Sequence, residues 1–112
     1  IEAGRQAARI FIEEKNQATA VLCFNDDLAH GFIQELEKLG RRVPEDVSVM
    51  GIDGTYIRHY YEKLLTSVAT YPQEMGAKCM EILINMLEGK PFKYVNWAKI
   101  GIMEGETVAD IR

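Results

Sequence analysis

Three short polar clusters carry the residue types that bind hydroxyl-rich small molecules: Asn25-Asp26-Asp27, Asp53-Gly54-Thr55 and Thr70-Tyr71. A carboxylate accepts from vicinal hydroxyls, an amide both accepts and donates, and a flanking aromatic ring covers the apolar face of a polyol. The same carboxylates admit a second chemistry, since Asp26, Asp27 and Asp53 brought to one sheet edge would form an acid/base pair or a metal cluster. Three aspartates without His or Glu at ligand spacing match no specific metal motif, however. Each cluster also has a purely structural use: Asn25 or Asp26 as a helix N-cap, Asp27 in a first helical turn, and Asp53 as a turn-forming residue before glycine.

The clusters are interesting because each follows an apolar run. Thr19 to Phe24 is short, continuous and ends abruptly at Asn25, the pattern of a parallel strand buried on both faces. A helix is predicted over Asp27 to Leu39, with Leu28, Phe32, Ile33, Leu36 and Leu39 on one face and Gly40 placed to end it. Val47 to Ile52 is a second buried strand ending at Asp53, and Leu65 to Thr70 a third. Strand, helix, strand at this spacing is a βαβ unit, so the fold class is α/β with a parallel sheet flanked by helices. In such sheets ligands bind beyond the carboxyl ends of the strands, the address of all three clusters.

Outside that unit, Ala3 to Lys15 reads as a first helix. Pro72 opens another, with Met75, Cys79, Ile82, Leu83, Met86 and Leu87 on one side and Gly89 at its end. Helical spacing makes Met75, Cys79 and Met86 core residues rather than a soft-metal site. Tyr94 to Met103 is a candidate last strand, weakened by Gly101 and followed by Gly105.

The chain has 112 residues, enough for one core, and a balance of 13 Lys and Arg against 17 Asp and Glu, a net charge of −4. That balance lacks the basic footprint of a nucleic-acid face. There is no GxGxxG after a strand and no GxxxxGK[ST], which argues against dinucleotides and nucleoside triphosphates. No apolar stretch is long enough to span a bilayer. Cys23 and Cys79 lack CxxC spacing and read as reduced thiols without a neighbouring base; His30 and His59 read as packing or surface residues. No cofactor and no catalytic residue are expected.

Four blocks then line up. Thr19-Ala20-Val21-Leu22-Cys23-Phe24-Asn25-Asp26-Asp27-Leu28-Ala29-His30-Gly31, Leu39 to Asp53 with Leu39-Gly40-Arg41-Arg42-Val43-Pro44-Glu45-Asp46-Val47-Ser48 at its core, Leu65-Thr66-Ser67-Val68, and Pro72-Gln73-Glu74-Met75-Gly76 closely resemble the effector-binding region of LacI/GalR family transcriptional regulators. The resemblance implies part of a periplasmic-binding-protein-like type I fold, in which two α/β subdomains close on a small molecule and a separate N-terminal DNA-binding domain responds. Carried over by position, it makes Asn25, Asp53 and Thr70 the ligand contacts. Gly54 stands where many members have a second Asp, Thr70 where many have Gln, and 101–106 poorly matches the family's Arg-rich signature.

The resemblance further implies that residues 1–112 are a fragment of the effector domain, mainly its C-terminal subdomain. The helix over 72–89 is expected to belong to the other subdomain. The partners expected are a sugar-like effector, DNA only through a domain outside this stretch, and a second copy in a homodimer. The location expected is the cytoplasm, with no membrane association. A solute-binding protein of a transporter or sensor is the alternative. With the facing subdomain absent, the apolar side of that helix must either fold back onto its own sheet or pack against another copy.

Overall fold

The computed structural model describes residues 1–59 and 61–112; of the aromatic-rich stretch 56–61, residue 60 therefore lies outside the described residues. Helix α1 (Glu2–Glu13) is followed by strand β1 (Ala20–Leu22), helix α2 (Asp26–Lys38), strand β2 (Ser48–Asp53), a 3-10 turn (Tyr56–His59), strand β3 (Thr66–Ala69), helix α3 (Pro72–Leu87) and strand β4 (Gly101–Met103). The sheet runs β1-β2-β3-β4, with the first three strands parallel and β4 antiparallel to β3. The α/β class and the parallel core read from the sequence are thus present.

Paired residues share a face, so the register divides the sheet. Val21 with Val49, Gly51 with Ser67, and Asp53 with Ala69 lie on one face; Leu22 with Met50, and Ile52 with Val68 and Ile102, lie on the other. The first face is where the core forms, because α2 brings fully buried Ala29, Ile33 and Leu36 against Val49 and Leu65. Helix α1 adds Ala8 and Phe11, the latter edge-on to Phe32 at 5.7 Å between ring centroids. The two helices touch backbone to backbone at Gly4, where a Cβ would stand 2.2 Å from the Leu28 carbonyl oxygen.

The second face is open, and this corrects the reading of β1 as buried on both faces. The strand is a three-residue edge, and Leu22 is 63% exposed. A continuous apolar run announces a strand between two layers, but the described residues place a layer over only one side. At the amino ends of β2 and β3 the gap between the strands is filled by buried Thr107, whose Oγ1 donates to the Val49 carbonyl at 2.7 Å and accepts from the Thr66 N–H at 3.0 Å.

Helix α3 supplies the second correction. It starts at Pro72 as read, but buries no residue: Met75, Leu83 and Met86 are all substantially exposed, and so is Cys79. The molecule measures 59 × 26 × 25 Å with a radius of gyration of 18.0 Å, against about 13 Å for a compact chain of this length. The helix projects from the sheet domain and finds no core of its own. It has not folded back onto the sheet. The last strand is also shorter than read, forming only at Gly101–Met103. A Cβ at Gly101 would meet the Tyr71 hydroxyl at 2.7 Å, so Tyr71 packs directly over the glycine that weakened the reading.

Candidate functional site

The parallel register brings the ends of β1, β2 and β3 side by side, and each end carries one of the residues singled out above. Asp53 is the last residue of β2 and pairs across to Ala69, so Thr70 stands immediately beyond it. Thr70 Oγ1 donates to the Asp53 carbonyl oxygen over 3.5 Å, the outer limit of a hydrogen bond. Asn25 lies beyond β1, half-buried, and caps α2: its Oδ1 accepts from the Leu28 N–H at 2.9 Å, which leaves the amide NH₂ group outside the cap. The structural reading of Asn25 and the ligand reading are therefore compatible in one side chain.

Asp53 is different in kind. It is exposed, its φ is +108°, and its carboxylate takes no hydrogen bond or ion pair among the described residues. A non-glycine residue in that region costs of order 1–3 kcal/mol and persists only where its surroundings dictate it. A turn residue before glycine earns its place by bonding its own backbone, and this carboxylate does not. Gly54 follows at φ +64°, and a Cβ there would meet Met103 Sδ at 2.7 Å. The positive φ strains any side chain at this position, and one would also have to displace the end of Met103.

Asp26 turns inward instead. It is buried, its Oδ1 accepts from Ser67 Oγ at 2.5 Å, and its Oδ2 accepts from the Thr55 N–H at 2.8 Å and Thr55 Oγ1 at 3.1 Å. Asp26, Asp27 and Asp53 consequently do not converge into an acid/base pair, and among the described residues no group of His, Cys, Asp or Glu could hold a metal ion. Sequence reasoning placed Thr55 in a candidate ligand cluster rather than against Asp26, and singled out neither Ser67 nor Arg58 as a site residue. The buried Arg58 guanidinium donates to the carbonyls of Leu65 (3.0 Å), Met103 (3.2 Å) and Glu104 (2.6 Å), tying the 3-10 turn to β3 and β4. An arginine in a loop rich in aromatics gives no local sign of that role.

Beside Thr70 a groove of about 340 Å³ opens between α3 and 96–99, lined in part by Tyr71, Met75, Cys79, Ile82 and Trp97. Asn25 and Asp53 do not line it. Lys99 Nζ lies 4.8 Å from the centroid of the Tyr71 ring, a cation–π contact. The two thiols differ in setting: Cys79 is exposed on the groove, whereas burial pushes the Cys23 thiol up to about 11, which disfavours its thiolate.

His30 is a second buried titratable group, on α2 beyond Asp26. Burial holds its imidazole below the ordinary value of 6.5, against upward pulls from its hydrogen bond to the Ile57 backbone and from Asp26 and Asp27. The folded state thus favours the neutral ring, while the unfolded chain takes up a proton below about pH 6.5. This contribution to stability is complete above that pH and is lost as pH falls through it toward the lower folded value. Denaturant midpoints are expected to stay level down to about pH 7 and to decline below about 6.5; His30→Leu should remove that decline, and an unchanged profile in the variant would assign it elsewhere.

Comparison with known proteins bears on the family and the fold. Residues 1–108 match the family described as periplasmic binding protein-like domain. The chain is 34% identical over 106 residues to the HTH-type transcriptional repressor PurR of Vibrio cholerae, covering 94% of this chain and 32% of that protein. The PurR repressor of Vibrio atlanticus is 38% identical over 84 residues, 75% of this chain and 25% of the relative. The chain thus spans a quarter to a third of the length of these curated relatives. Among solved structures, the lac repressor dimer bound to operator and the anti-inducer ONPF superposes with a TM-score of 0.92 at 25% identity, over 97% of this chain and 38% of that one.

Proposed function

This chain belongs to the periplasmic binding protein-like domain family, in the LacI/GalR regulator branch, and from that premise we propose that it supplies one wall of a small-molecule effector pocket in a transcriptional regulator. The observation that carries the reading is the apposition of Asn25, Asp53 and Thr70 at three adjacent strand ends, with Asp53 held in a costly backbone conformation and its carboxylate unused. Asp53 accepts from ligand hydroxyls or ring N–H groups, the Asn25 amide donates, and the Thr70 hydroxyl does either. Effector binding then biases a DNA-binding domain elsewhere in the parent protein, which acts as a dimer. No residue is assigned a catalytic role.

The second face of the pocket comes from another α/β subdomain, and α3 belongs with it. Support lies in the composition of α3, which exposes Met75, Met80, Leu83, Ile84, Met86 and Leu87. A helix apolar on several sides is one that is buried in its complete setting. The effector is a sugar or related polyol, with purine compounds as the competing class given the PurR relatives.

Calorimetric titration of the parent protein against sugars, nucleosides and purine bases tests the proposal. Saturable binding by one class is the expected result, and it also chooses between them. A folded protein that binds none of these compounds would overturn it.

A further inference from the structure

We propose that Asp26 is a positioning residue: its buried carboxylate clamps the Asp53-Gly54-Thr55 turn to α2 and β3 and so fixes the direction in which Asp53 faces a ligand. The assignment rests on the reading of Asn25, Asp53 and Thr70 as effector contacts. Asp26 adjoins Asn25 in sequence, so the group at one candidate contact is covalently coupled to the clamp on another. One carboxylate oxygen takes both the N–H and the hydroxyl of Thr55, at 2.8 and 3.1 Å; the other takes Ser67 Oγ at 2.5 Å. Ser67 Oγ in turn accepts from the Gly54 N–H at 3.1 Å, so both amides that follow Asp53 are held, one directly and one through the serine.

The fold makes room for this arrangement. A Cβ at Gly51 would stand 2.4 Å from Asp26 Oδ1, so the glycine in the middle of β2 is what lets the carboxylate reach across the strand. Asp26 is 1% exposed and Ser67 fully buried, and hydrogen bonds to a charged group in such a setting are the strong ones. Three anchored donors on one carboxylate provide the surroundings that a residue at φ +108° requires. The Asn25 cap and the Asp26 clamp also divide the labour at the start of α2, one holding the helix and the other the loop facing it.

Amide hydrogen exchange on the full chain, with no ligand present, tests the clamp. In Asp26→Asn the charge is lost and one acceptor oxygen remains, so the bonds from Thr55 become neutral ones and any contact to Ser67 Oγ must be reversed, made by a donating amide NH₂; Ser67→Ala removes only the serine arm and serves as the milder variant. Exchange of the Gly54 and Thr55 amides is expected to accelerate about ten- to a hundredfold in Asp26→Asn, and that of Gly54 in Ser67→Ala. The Val49 amide, bonded to the Thr107 carbonyl in the sheet, should keep its protection in both. Loop and Val49 amides accelerating together would show a merely structural residue, and unchanged loop exchange in a folded variant would remove the clamp; either overturns the proposal. Because no ligand enters, failure here leaves the effector reading to the titration above, and failure of that titration leaves the clamp intact.

Discussion

Gly105→Ala is expected to destabilise the chain by about 3 kcal/mol, the upper end of overpacking costs, while Gly76→Ala stabilises it by about 0.5–1 kcal/mol. The two substitutions add the same methyl group. At Gly105 that methyl would stand 2.2 Å from the Leu64 carbonyl oxygen and 2.7 Å from both the Leu65 carbonyl carbon and the Thr66 nitrogen. All three are backbone atoms, so no side chain can swing away. The chain must separate here from β3, losing the bonds from the Gly105 N–H to Thr66 Oγ1 at 3.1 Å and from the Glu106 N–H to the Leu64 carbonyl at 2.6 Å. At Gly76, inside α3, a Cβ meets nothing within 4 Å, so only the helical preference of alanine remains. Urea unfolding of both variants measures the contrast, and equal midpoints would show that the stretch after β4 is not packed against β3 as described.

The same glycine marks where local pattern stops being informative. Apolar runs ending in Asn25, Asp53 and Thr70 were legible because parallel strands leave a strong signature, and the register then had to align their ends. Helices α1 and α2 were legible from their spacing and from the residues that bound them. What the pattern could not carry was the other side of each element. Leu22 and Val21 are equally apolar neighbours, yet the helices cover the face of Val21 and leave Leu22 exposed. The stripe on α3 is sound as a stripe, but among the described residues nothing covers it. Asp26 was misread for a related reason. Beside Asn25 and Asp27 it looked like a cap or one of a carboxylate cluster, and only the crossing of α2 over Gly51 sets it against Ser67 and Thr55. Its partners lie 41 and 29 residues away, beyond any local motif.

Asp53→Gly is expected to move stability and affinity in opposite directions. Relief of the positive φ at this position returns about 1–3 kcal/mol, and the greater freedom of glycine in the unfolded chain takes back about 0.4–1 kcal/mol. The net expectation is a fold about 1 kcal/mol more stable. The exposed carboxylate makes no internal bond among the described residues, so its removal costs the fold nothing further. Effector affinity in the parent protein should fall by about 1.5–3 kcal/mol, the range for a hydrogen bond to a charged group, or about ten- to a hundredfold in Kd. Asp53→Ala separates the two effects: it loses the same affinity but keeps a side chain at φ +108° and gains no stability. Thermal melts and titrations of the two variants together distinguish a ligand contact from a turn former. A turn former would lose stability in Asp53→Gly and bind the effector unchanged, which would withdraw Asp53 from the site.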